Sequence, residues 1–220
     1  MEIRAILTGA TGMVGEGVLN ECLQHPDVKE VLVVVRRPTG MSHPKLKEIV
    51  HPDFHYLTSI ESQLKGYNAC FFCLGVSSVG MTKDDYYKQT YLLTLNFATT
   101  LVNQNSDMVF CYISGAGTDS SEKGRLNWAR VKGKTENDLN KLPFRGVYHF
   151  RPGLIAPTKG LRNTLKLYTY LGWLIPVIRF FSPTSIVSLK QLGLAMINAA
   201  RLGYEKKILE IRDILELSKR

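Results

Sequence analysis

Short apolar runs alternate with helical patterns along the whole 220-residue chain. Residues 3–7, 31–35, 54–57, 69–74, 108–114 and 147–151 read as strands, the second of them dominated by valine. Residues 14–24 carry Val18, Leu19, Cys22 and Leu23 at helical spacing. The longest predicted helix covers 83–104. Thr82 and Asp85 stand at capping-box spacing at its start, and Tyr87, Tyr91, Leu95, Ala98 and Val102 recur along one side. A further helix is predicted over 126–141. Uninterrupted apolar strands separated by helices predict an α/β fold, a doubly wound parallel sheet covered on both faces. After Arg151-Pro152-Gly153 the pattern changes. Residues 159–181 are aromatic and apolar with scattered bases, 189–200 are helical, and 208–211 fit a last strand.

Between the first strand and first helix lies Thr8-Gly9-Ala10-Thr11-Gly12-Met13-Val14-Gly15. A chain that turns this sharply from strand to helix needs residues without side-chain bulk. The amides opening the helix then point at whatever sits before it, and an anion is what they favour. A tight turn with no ligand is the simpler reading of three glycines, but their place after a strand and before a helix favours a phosphate cradle.

The spacing is G-x-x-G-x-x-G, and it resembles the extended and atypical short-chain dehydrogenase/reductase families, which include NAD-dependent epimerase/dehydratase-like proteins. The resemblance runs through about residue 157. Asp53-Phe54 matches the acidic residue and neighbour that these families set against adenine, and Cys73-Leu74-Gly75, followed by Val76, matches the segment after their fourth strand. Ser114-Gly115-Ala116-Gly117 matches the serine at the end of the fifth strand, Lys132-Gly133-Lys134-Thr135-Glu136 a K-G-x-x-E helix, and Arg151-Pro152-Gly153 the turn beside the nicotinamide. Within these families the chain is similar to the atypical oxidoreductases related to Tat-interacting protein. The resemblance implies a Rossmann domain over 1–157 with strand order 3-2-1-4-5-6. Residues 158–220 then form a small C-terminal lid with a closing helix and strand, inside the same structural domain. The implied cofactor contacts are Gly9, Thr11, Gly12, Met13, Val14, Gly15, Asp53, Phe54, Leu74, Gly75, Val76, Lys132, Pro152 and Gly153.

The second strand ends Val35-Arg36-Arg37-Pro38, without the Asp or Glu that bonds a ribose 2′-hydroxyl. A guanidinium there suits a 2′-phosphate, so Arg36 and Arg37 point to NADP, with NAD as the second choice. A solvated pair of surface arginines is the competing account.

The resemblance implies carbonyl chemistry in which Ser114 holds the substrate oxygen and Lys132 the nicotinamide ribose. The position of the family's proton-donating tyrosine, one helical turn before Lys132, is Trp128. An indole N–H donates a hydrogen bond but does not ionise at useful pH. Three readings stay open: a reductase whose proton comes from Ser114, Tyr112, Thr118 or water; a substrate that does not need the tyrosine; or a regulator that binds NADP(H) without turnover. Sugar-nucleotide epimerisation is disfavoured by the short C-terminal part.

The formal net charge of +9 fits an anionic ligand, an acidic membrane surface or nucleic acid, and charge alone does not choose between them. The bases are scattered and carry no helix-turn-helix, RNP-like or zinc signature, which argues against nucleic acid. His51 and His55 are separated by Pro52, against a helical metal pair, and no metal is expected. The uncharged stretch inside 165–181 is too short to span a bilayer. It is read as a substrate-side lid, with a peripheral membrane contact or a homodimer surface as alternatives. Cys70 and Cys73, three apart on a strand, face opposite sides and cannot pair. Together with Cys22 and Cys111 they are read as reduced thiols of a cytoplasmic protein. The first residues enter a strand at once, so no secretory leader is expected.

Overall fold

Valine-rich and aromatic runs with both faces covered become the strands of a central parallel sheet in the computed structural model, which describes residues 2–158, 160–163 and 185–220. The strands are β1 (Ile3–Thr8), β2 (Val28–Val35), β3 (Leu46–Val50), β4 (Ala69–Phe72), β5 (Val109–Ile113), β6 (Gly146–Phe150) and β9 (Ile208–Leu209), and their order is β3-β2-β1-β4-β5-β6-β9. The first six follow the predicted order. The seventh, β9, pairs with β6 through His149 and Phe150. A separate two-stranded pair joins β7 (Leu154–Ala156) to β8 (Ile186–Ser188).

Because side chains alternate across each strand, the sheet divides two cores. One holds Leu7, Val33, Phe71, Cys111 and Phe150 against helices α1 (Met13–Gln24), α5 (Leu189–Leu202) and α6 (Ile211–Leu217). The other holds Ile6, Val34, Phe72, Phe110 and Tyr112 against the helical layer of α2 (Lys83–Tyr87), α3 (Leu93–Gln104) and α4 (Asn127–Leu139). Phe72 packs between Phe97 and Phe110, with ring centroids 5.6 and 5.8 Å away. Leu192, Met196, Leu209 and Leu217 belong to the first core, with Leu7.

The helix over 83–104 is real, and Thr82 caps it by accepting from the Asp85 amide at 3.1 Å. It is interrupted by a π turn at Lys88–Leu92. The third strand is a correction. It is Leu46–Val50, and the run 54–57 forms a loop instead. Phe54 and Leu57 are buried plugs of the second core, and Asn96 fixes the loop by donating to the Phe54 and His55 carbonyls at 3.1 Å each. The true β3 escapes the apolar pattern because it is an edge strand with Lys47 and Glu48 exposed.

Cys70 faces the second core, while Cys73 packs against the first, as strand alternation requires. All four thiols are free, and burial pushes each of them up from the ordinary range. A protonated thiol is a poor nucleophile, so none is set up for cysteine chemistry. The aromatic segment 165–181 lies outside the described residues.

Candidate functional site

The loops that matter follow the C-terminal ends of β1, β2, β4, β5 and β6, which all lie at one end of a parallel sheet. At the end of β1 the three glycines have different jobs. Gly9 has φ +74°, and a Cβ there would lie 2.7 Å from the Cys73 carbonyl just past the end of the neighbouring strand β4. At Gly15 a Cβ would lie 2.1 Å from the Gly9 oxygen, so this glycine lets helix and strand pack. Gly12 differs. Its backbone is extended (φ −106°), and a Cβ would meet nothing closer than the Gly9 oxygen at 3.4 Å. Packing does not demand a glycine here, and the lack of a side chain leaves the approach to the α1 amides open. Gly12 is the N-cap of α1 and no side-chain hydrogen bond caps the helix, so the amides opening at Met13 and Val14 are available to an anion.

Beside this turn lies a cleft of about 540 Å³ lined by Thr11, Arg36, Arg37 and Pro52. Both arginines are exposed. It adjoins a smaller recess of about 140 Å³ that shares Arg36 and Pro52 and adds Asp53, Phe54, Leu74, Val76 and Gln89, among others. The predicted residues Thr11, Arg36, Arg37, Asp53, Phe54, Leu74 and Val76 therefore come together. Gly75 sits between the last two on an exposed loop with open space around it. The loop after β4 is tied to β1 by the Leu74 amide, which donates to Thr8 Oγ1 at 3.3 Å.

The second half of the site gathers at the ends of β5 and β6. The Gly115 and Ala116 amides donate to the carbonyls of Phe150 and Pro152 at 3.3 and 2.9 Å. Gly153 follows on an exposed turn, with Ile211 2.9 Å from where its Cβ would stand. The Lys132 ammonium donates to the Ser114 carbonyl. It also lies 3.9 Å from where a Gly115 Cβ would stand. Burial pushes the Lys132 pKa down, and Glu136 one turn away partly opposes this. Ser114 is buried, and its hydroxyl donates to the Phe150 carbonyl at 3.2 Å. Trp128 lies over the same loop, its ring edge 3.3 Å from the position of a Gly117 Cβ.

Two of the suggested proton donors are poorly placed. Tyr112 is buried in the second core, and burial raises its pKa. Thr118 is buried and donates to the Gly115 carbonyl at 2.7 Å. No group of three or more His, Cys, Asp or Glu side chains able to hold a metal occurs among the described residues. His51 instead contacts the Tyr56 carbonyl at 2.7 Å.

The K-G-x-x-E pattern gains a physical meaning that spacing alone did not give. Lys132 holds the end of β5. At Gly133 a Cβ would lie 1.8 Å from the Asp119 oxygen, so this glycine lets the loop after β5 cross α4. Glu136, buried, takes Arg151 in a two-pronged pair, with Nε at 3.0 Å, and Arg151 also reaches Ser120 and Glu210. One helix thus fixes the ends of two strands and the loop between them. Glu16 is a residue sequence reasoning missed. Buried in the first turn of α1, it accepts the backbone amides of Arg162 and Asn163 at 2.8 and 2.7 Å. No sequence signal marks it beyond an acid in the first turn of a helix.

A nucleotide-cradling turn at the head of a 3-2-1-4-5-6 parallel sheet defines a dinucleotide-binding α/β protein. A model of the NAD dependent epimerase/dehydratase family matches residues 5–124. The chain belongs to that family, and its cofactor is of the nicotinamide dinucleotide class. It is similar to a protein named fmp52-1, mitochondrial, from Aspergillus terreus, with 32% identity over 163 residues, 70% of this chain and 67% of that one. It is also similar to FMP52-1, mitochondrial, from Scheffersomyces stipitis, with 24% identity over 98% of this chain and 99% of that one.

Solved structures share the fold. A short chain dehydrogenase from Burkholderia cenocepacia in complex with NADP has a TM-score of 0.66 at 12% identity, covering 98% of this chain and 92% of its own. The Bordetella bronchiseptica enzyme WbmF in complex with NAD+ has a TM-score of 0.68 at 13% identity, covering 99% and 77%. The expectation of a cytoplasmic protein is corrected by the relatives, which are named as mitochondrial. Free thiols report a reducing environment, not a compartment, and so could not make that distinction.

Proposed function

We propose that this chain is an NADP(H)-dependent oxidoreductase of the short-chain class, acting on a small or lipophilic carbonyl compound in the mitochondrion. The observation that carries the reading is the cleft joining Thr11 at the phosphate turn to Arg36 and Arg37 at the end of β2, with no carboxylate among the described residues that line it. The turn would hold the pyrophosphate through the first amides of α1, Arg36 the 2′-phosphate, and Lys132 the nicotinamide ribose. When bound, the cofactor supplies or accepts the hydride. The chain's own part is to hold the carbonyl and provide a proton. Ser114 must give up its bond to the Phe150 carbonyl before its hydroxyl can donate to a substrate oxygen.

That bond, with an indole in the tyrosine's place, favours a second reading: an NADP(H)-binding regulator without turnover. A titration with NADPH and then NADH, followed by energy transfer from tryptophan, tests the core of both. A charge-assisted bond of about 1.5–3 kcal/mol at Arg36 gives NADPH a tenfold to hundredfold advantage. Equal affinities remove the 2′-phosphate argument, and binding of neither removes the function.

A further inference from the structure

The recess of about 140 Å³ beyond the arginine cleft is walled mainly by the apolar side chains of Phe54, Leu74, Val76 and Leu93. A nucleobase asks for such walls, since its faces are apolar and its polarity lies along the edges. Four polar side chains, Arg36, Asp53, His55 and Gln89, break the lining, and two of them, Asp53 and Gln89, can bear on such an edge. Asp53 offers acceptors only, one of its oxygens already taking the His55 amide at 2.8 Å. Gln89 offers both a donor and an acceptor, and its carboxamide makes no hydrogen bond among the described residues.

Gln89 sits in the π turn Lys88–Leu92, and both it and Leu93 line the recess. One extra residue in a helical turn rotates the flanking segments by about 100° relative to one another, so the π turn decides which side chains face the base. Such turns recur at functional sites.

We infer that Gln89 reads the edge of the adenine ring, its carboxamide oxygen accepting from the exocyclic amine and its NH₂ donating to a ring nitrogen. The ring nitrogen is N1, beside the amine on the same edge, and a carboxamide offers the one acceptor and one donor that this edge takes. The inference rests on the dinucleotide reading above and adds a residue that determines base specificity. Asp53 takes the second amine hydrogen, so the recess selects adenine over a base that presents an oxygen at that edge.

The test pairs a protein change with a ligand change. Wild type, Gln89→Leu and Gln89→Ala are each titrated with NADPH and with its 1,N6-etheno derivative, in which the exocyclic amine and N1 are closed into a ring. Gln89→Leu weakens NADPH about fivefold. It leaves the already weaker etheno derivative unchanged, because the two changes remove the same contact. Equal weakening of both ligands, or of neither, overturns the assignment, since a merely structural glutamine would move both together. Binding of neither ligand to the wild-type chain overturns the dinucleotide reading itself, and the assignment falls with it.

Discussion

Gly12 and Gly15, three residues apart in one turn, are expected to fail in opposite ways when each is changed to alanine. In Gly15→Ala the new Cβ would sit 2.1 Å from the Gly9 oxygen and 2.4 Å from the Gly9 carbonyl carbon. Both are backbone atoms, so no rotamer change relieves the clash, and β1 and α1 must part. Overpacking typically costs about 1–3 kcal/mol, and a backbone collision belongs at or above the top of that range. For a chain of this length that lowers the Tm by about 6–12 °C. In Gly12→Ala the Cβ meets only the Gly9 oxygen, at 3.4 Å, and the backbone is already in an extended conformation open to any residue. Replacing a glycine N-cap by alanine costs about 1 kcal/mol or less. The methyl group instead occupies the approach to the α1 amides. Losing one charge-assisted bond there weakens binding by about tenfold to hundredfold. Thermal unfolding and NADPH titration on the same preparations separate the two. A Gly12→Ala protein that melts like Gly15→Ala, or that binds NADPH like wild type, would refute the division of labour.

Three other outcomes follow from the same geometry. Glu136→Ala strands the buried Arg151 guanidinium and lowers stability by about 3–5 kcal/mol in urea titrations; a loss under 1 kcal/mol would show that Ser120 and Glu210 hold Arg151 unaided. Burial pushes His149 down to about 4, so the folded protein keeps the ring neutral while the unfolded chain protonates below about 6.5. Stability is therefore flat above that pH and falls by about 3 kcal/mol on going down to pH 4; His149→Gln should flatten this limb, and an unchanged limb would assign it to other groups. Trp128→Tyr puts a phenol one turn before Lys132 and should raise carbonyl reduction by about a hundredfold or more if proton supply limits it; no gain across a broad substrate panel would favour the regulatory reading.

The parts of this molecule that could be read in its sequence are those whose cause is local. The valine run of β2 and the glycine turn each carry their reason within a few residues. So do Thr82 with Asp85, and the order of the first six strands follows from the alternation of elements. What stayed hidden depends on distant neighbours. Residues 54–57 look like a strand because Phe54 and Leu57 are buried, yet what buries them is α3 and the second core, not sheet pairing. The π turn has no compositional mark, and Gln89, which lines the recess, lies within it. The bond between Glu136 and Arg151 joins two motifs that looked independent. Ser114 was placed by position, but its hydroxyl bond to the Phe150 carbonyl could not be foreseen without the fold.

The two margins of the sheet bear on how this chain can meet other molecules. At one margin β3 carries Lys47 bound to Glu30 at 2.8 Å, and Glu48 turned toward Thr39, whose amide and hydroxyl it accepts at 2.9 and 2.7 Å. Charges held in this way discourage a foreign strand from annealing there. At the other margin β9 is only two residues long and runs straight into α6. Among the described residues neither border offers a long row of idle amides, which discourages growth of the sheet by template at both ends. Side chains on the helices and on the loops above the strand ends are therefore the surfaces where single substitutions can change contacts without endangering the sheet beneath.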